Sequence, residues 1–208
     1  MFILSLLSDP IKTLGFLIGL LIAITVHEFM HAYTANLLGD PTAKWQGRLS
    51  LNPIRHLDLF GTLFLLIVGF GWGKPVPVNP NNFENPRLGE LLTSLSGPFS
   101  NIITAFIFSL PLRFFPNAAF APFFNLIIYI NLVLCVFNLL PIPPLDGSKI
   151  LWVIFPKIDI AAFEQIGIYI LFGILFLSYL TGYSILGSII SPVISFLTKI
   201  IGAGTTSF

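Results

Sequence analysis

Five stretches of this chain are apolar for long enough to cross a lipid bilayer, and that leaves very few folds open. They run from about Ile11 to Leu38, Leu88 to Phe115, Ala121 to Leu140, Ile160 to Leu180 and Tyr183 to Ile201, against the roughly 20 residues a helix needs to cross. In hydrocarbon every backbone N–H and C=O must find a partner inside the protein, so such segments become helices. The expected fold class is an all-α polytopic membrane protein with about five spanning helices. A sixth stretch, Leu59 to Trp72, has only 14 residues and several glycines; it reads as a short re-entrant segment, with extended or β-hairpin pieces between the first and second core helices. The connecting pieces are too short to form separate folds. A single membrane-embedded domain over residues 1–208 is expected, with its core at about 11–150 and accessory helices at about 160–201.

Composition narrows the partners. Charged residues make up 9% of the chain, its net charge is +1 and it has no run of Lys or Arg, which excludes a nucleic-acid footprint and a polybasic lipid-binding tail. The expected partners are the bilayer and other apolar, membrane-spanning proteins or peptides. Met1 to Leu7 lacks a basic start and a small-residue cleavage site, so it is expected to stay attached rather than be removed as a signal peptide. The single Cys135 cannot form an internal disulfide and reads as core.

The basic residues set the orientation. If Leu59 to Trp72 does not cross, Lys44, Arg48, Arg55, Lys74, Arg87, Lys149, Lys157 and Lys199 share one side, with Lys12 and Arg113 opposite. If it does cross, the split falls to six against four and assigns almost nothing. The eight-to-two bias predicts a re-entrant segment and a cytoplasmic basic side, and the chain is expected to be a multi-pass protein of the plasma membrane.

Inside the first apolar stretch lies Thr25-Val26-His27-Glu28-Phe29-Met30-His31, a match to H-E-x-x-H on an expected helix. Residues four apart on a helix are turned by about 40° and displaced by about 6 Å, so both imidazoles can reach one ion from the same face. Glu28, one step round, can stay off the metal and act on water as a general base. The bland alternative is three polar side chains satisfied by neighbouring helices. Each ionisable group near a helix centre costs roughly 2.5–3.5 kcal/mol, however, and a divalent cation offsets that directly. His27 follows Lys12 by fifteen residues, which puts it about 22 Å into a ~30 Å core, near the cytoplasmic face.

A tetrahedral catalytic zinc needs a third protein ligand and one open position. His56, Glu84, Glu90, Asp146, Asp159 and Glu164 are candidates. Asp146 stands out because Pro141, Pro143 and Pro144 stop the helix before it, and irregular backbone at membrane depth is tolerated where it lines a cavity. It also reads, more plainly, as the N-cap of a helix starting near Ser148. With the re-entrant assignment, the ends bearing His31 and Asp146 fall at the same membrane face and can share one ion.

The two motifs, His27-Glu28-Phe29-Met30-His31 and Asn138 to Gly147 as N-x-x-P-x-x-x-L-D-G, resemble those of the site-2 protease family of intramembrane zinc metalloproteases. Ser96-Gly97-Pro98-Phe99-Ser100-Asn101 resembles the family's Gly-Pro element. The likeness covers roughly residues 15 to 150 and is nearest to compact members without PDZ or CBS modules. It implies one zinc per chain held by His27, His31 and Asp146, with Glu28 catalytic, and hydrolysis of peptide bonds in transmembrane segments of other proteins.

Further residues are expected to support that chemistry. Lys74, Pro75, Val76, Pro77 and Val78 cannot be helical and can lie extended to pair with an unwound substrate, or simply connect two helices. Asn138 can donate to the substrate backbone or an oxyanion, or satisfy carbonyls that Pro141 leaves free. Gly97 and Pro98 allow a close helix approach while opening the backbone, with Ser96 and Asn101 at hand to satisfy it. A zinc transporter or channel using the same ligands is the main alternative. A membrane zincin with Glu164 as third ligand and a catalytically silent binder of membrane segments are two others.

Overall fold

A computed structural model describes residues 10–68, 71–155, 157 and 160–201. Met1 to Leu7 and the candidate ligand Asp159 lie outside the described residues. The described helices, in chain order, are α1 (Pro10–Leu37), α2 (Thr42–Trp45), α3 (Leu59–Val68), α4 (Pro86–Phe114), α5 (Ala121–Asn138), α6 (Ser148–Ile154), α7 (Ile160–Thr181) and α8 (Ile185–Ile201). Four of them, α1, α4, α5 and α7, are long and apolar enough to cross a membrane, and α8 is a shorter apolar helix of 17 residues. The chain is thus an all-α, multi-pass membrane protein.

Three helices, α1, α4 and α5, pack together and carry the polar interior. Gly15 and Gly19, one turn apart on α1, leave no side chain between that helix and α5. A Cβ on Gly19 would sit 3.0 Å from Ile130 Cδ1 and 3.2 Å from Ile127 Cα, the close approach that small residues permit in membranes. Gly15 meets Phe123 and Leu126 in the same way, so α1 and α5 run parallel. Helix α4 runs against them: Asn85 caps its N-terminus by accepting from Leu88 N–H at 3.2 Å, with Pro86 at the first helical position. Asn82, just before that cap, donates to Asp40, just after α1, at 2.7 Å. So α4 begins at the end of the bundle where α1 stops, and Leu59–Val68, only ten residues long, does not carry the chain across.

The expected β-hairpin reduces to one isolated bridge, Leu57 with Gly73; among the described residues there is no strand. Prolines at 75, 77 and 80 have no N–H to give a ladder. The charge count also needs one correction. Arg113 Nη2 donates to Ile201 O at 2.5 Å and Ser109 Oγ to the same oxygen at 3.3 Å, so α8 ends beside the far end of α4. Lys199 therefore belongs with Lys12 and Arg113, and eight against two becomes seven against three. Simple alternation of crossings had placed Lys199 on the other side; the pairing of Arg113 with the free carbonyl at the end of α8 puts it here.

Candidate metal centre

His27 and His31 leave the same face of α1, one turn apart, and both are buried. Their Nε2 atoms stand 3.0 Å from each other, and each approaches Asp146 Oδ2, at 3.2 Å and 3.3 Å. Among the described residues these three form the group able to hold a metal ion. Ligand atoms at about 2.05 Å from a tetrahedral ion are separated by about 3.3 Å. The observed triangle is close to one face of such a tetrahedron.

The outer ring nitrogens fix the tautomers. His27 Nδ1 lies 2.7 Å from Asn101 Oδ1, and His31 Nδ1 lies 2.7 Å from the carbonyl of Thr93. Both partners are acceptors, so each neutral imidazole carries its proton on Nδ1 and turns an Nε2 lone pair to the centre, the arrangement that orients metal-binding histidines. The Asn101 amide is oriented in turn: its Nδ2 donates to Ala23 O at 3.1 Å and to Asn131 Oδ1 at 3.0 Å. Asn131 Nδ2 closes the series on Ile127 O at 2.9 Å. Asn101 thus turns from its own backbone toward α1 and α5, and one buried polar chain links all three core helices. The role of Asn131 was missed from sequence. An Asn at the middle of a largely apolar helix, thirty residues from Asn101, was the available signal.

Gly97 makes room for the pair. A Cβ there would lie 2.5 Å from His31 Cε1 and Nε2 and 2.8 Å from His27 Cε1, so only glycine lets α4 pass this close to the rings. Pro98 is buried beside it. Asp146 reaches the centre because Leu139 to Gly147 folds back on the end of α5: Gly147 N–H donates to Asn138 O at 2.7 Å, and Gly147 itself lies against the carbonyls of Leu139 and Leu140. Asp146 does not cap α6, which has Gly147 at its N-cap and no side-chain cap bond; its Oδ2 is buried with no hydrogen-bond partner among the described groups. Two lone pairs and a buried carboxylate oxygen aimed at one point fit a divalent cation.

Glu28 sits half-buried one residue from His27. Its Oε2 is buried without a hydrogen-bond partner, and its Oε1 borders Gly73. The other candidate ligands go elsewhere. His56 is fully buried with Nε2 at 2.6 Å from Ser50 O, and Glu84 is exposed. Glu90 and Glu164 pair with Lys149 at 3.5 Å and 2.8 Å. Asn138 donates to Leu134 O, one turn back in its own helix, at 2.9 Å. Lys74 to Val78 runs without regular structure between Gly73, which touches the Glu28 side of the centre, and the turn at Pro80–Asn82.

The sequence model of Peptidase family M50 matches residues 115–178. A Bacillus subtilis protein named "Putative zinc metalloprotease YwhC" is 46% identical over 84% of this chain and 85% of its own length. The "Putative zinc metalloprotease Rip2" of Mycolicibacterium smegmatis is 31% identical over 67% of this chain and 60% of its own. That of Mycobacterium tuberculosis H37Rv is 33% identical over 62% and 52%. No solved structure matches.

Proposed function

The chain belongs to peptidase family M50, the site-2 proteases, and is a zinc metalloprotease of the membrane; from that premise we propose that it cuts peptide bonds within transmembrane segments of other proteins, near the cytoplasmic face of the plasma membrane, as one catalytic unit of core and accessory helices. The observation that carries this reading is the convergence of His27 Nε2, His31 Nε2 and Asp146 Oδ2 within 3.0–3.3 Å of one another, with Glu28 next to them on the same helix. Seven of ten basic residues at that end of the bundle support its cytoplasmic orientation.

His27, His31 and Asp146 would hold the zinc, which when bound supplies Lewis acidity toward a peptide carbonyl and toward water. Glu28 takes a proton from the attacking water and returns it to the leaving amine; its unpartnered oxygen leaves a lone pair free for that transfer. A transmembrane helix hides its carbonyls in its own hydrogen bonds, so substrates need helix-breaking residues near the cut. The Lys74, Pro75, Val76, Pro77 and Val78 segment, which follows Gly73 at the Glu28 side of the centre, receives the unwound chain by strand addition. Asn138 has a second amide hydrogen left for substrate or oxyanion. Gly97, Pro98 and Asn101 keep the imidazoles in place.

Glu28→Gln tests the reading. Cleavage of a co-expressed membrane substrate should fall by about a hundredfold to ten-thousandfold while zinc content stays at one per chain. Undiminished cleavage by that variant contradicts the mechanism, and zinc flux into vesicles carrying the wild-type chain would assign the ligands to transport.

A further inference from the structure

Two buried charges in the loop after α1 have no part in the chemistry above. Asp40 is fully buried and Arg48 is 5% exposed. Each follows a glycine in the left-handed region, Gly39 at φ 107° and Gly47 at φ 66°, and each opens the chain out of a helix by the same device. Gly39 N–H donates to Asn36 O and Asp40 N–H to Ala35 O at the end of α1; Gly47 N–H donates to Lys44 O and Arg48 N–H to Ala43 O at the end of α2. Such paired bonds close a helix and fix the direction of the residue after the glycine. Both charged side chains therefore start from rigid backbone.

They grip opposite ends of one segment. Arg48 Nη1 donates to Pro75 O at 3.0 Å and Nη2 donates to Lys74 O. Asp40 Oδ2 accepts from Asn79 N–H at 2.7 Å, and Oδ1 from Asn82 Nδ2 at 2.7 Å and Thr42 Oγ1 at 2.5 Å. Burial favours the neutral acid, but these bonds outweigh it and hold the Asp40 carboxyl below its ordinary range. Between the grips lie Val76, Pro77 and Val78, half-buried, and among the described residues the amides of Val76 and Val78 have no partner. In extended chain, residues two apart turn their N–H and C=O groups the same way, so the held piece presents a short pairing edge. Pro75 and Pro77 restrict its other conformations.

We propose that Arg48 and Asp40 are positioning residues that hold Val76 to Val78 taut as the docking edge for the unwound substrate. This rests on the strand-addition reading given above. Guanidinium and carboxylate are suited to it because charge-assisted bonds to backbone groups are short and strong and leave little slack.

The test uses the zinc-loaded full chain in liposomes and a fluorogenic single-span probe peptide of Leu and Val broken by Gly-Pro in its cytoplasmic third. A photo-crosslinker at position 76 or 78, in the Glu28→Gln background, should capture the probe. Arg48→Gln and Asp40→Asn, each in the otherwise wild-type chain, should raise KM about tenfold, with kcat and zinc content unchanged; Arg48→Lys, able to serve one carbonyl, should fall between. Unchanged KM in both variants overturns the proposal, as does loss of kcat and zinc in all three, which would make the pair fold determinants. If the wild-type chain cleaves the probe but neither position captures it, the docking edge itself fails, and that outcome is distinct from failure of the grip.

Discussion

Helices α5 and α7 have nearly the same mean hydropathy, 1.8 and 1.7, yet 44% of the spanning window of α5 is buried in the protein and only 11% of that of α7. Apolarity takes a helix into the bilayer, but lipid is as apolar as leucine, so it does not decide which helices pack. What sets α5 apart is a continuous face of contacts with the other core helices: Ile127 and Ile130 against the glycines of α1, and Asn131 bonded to Asn101. Helix α7 turns large apolar side chains such as Tyr169 and Tyr179 outward. It is tied in by Gly167 against Pro143, Leu171 in the core cluster and the Lys149–Glu164 pair.

Substitutions can break or sharpen this contrast. Gly97→Ala strikes the core where α4 passes the two imidazoles: the rings are pinned through Nδ1 and cannot yield, so zinc affinity should drop about a hundredfold or more, read by competition with a chelator. Asn101→Leu removes the acceptor for His27 Nδ1 and leaves Asn131 Oδ1 without its donor. Zinc affinity should fall about tenfold to a hundredfold, and an unchanged affinity would mean the polar chain serves packing alone. Lys149→Met cuts the charged tie between core and α7 and leaves the half-buried Glu90 without its cation. It should lower stability by roughly 1–3 kcal/mol in thermal unfolding, with zinc content intact. If it instead empties the metal centre, the two regions are not separable.

The same contrast explains what sequence made legible. His27, Glu28 and His31 were readable because their geometry is local: a four-residue spacing on a helix is nearly the whole of it. Asp146 was within reach because prolines mark where α5 must stop and the basic residues mark which end that is. Asn131, Asp40 and Arg48 were not. Asp40 drew no reading, and Arg48 counted only as one positive charge in a loop, because their partners are set by tertiary folding rather than by any period. Lys199 was misplaced for a related reason: hydropathy counts helices, but alternation does not say how the last two lie against the rest.

The chemistry depends most directly on which carboxylate completes the metal centre. Zinc should be measured per chain, by elemental analysis of purified protein, for the wild type, Asp146→Ala and Glu164→Ala. The expected result is one zinc in the wild type, one in Glu164→Ala and almost none in Asp146→Ala. A full equivalent of zinc retained by Asp146→Ala would contradict the site built here.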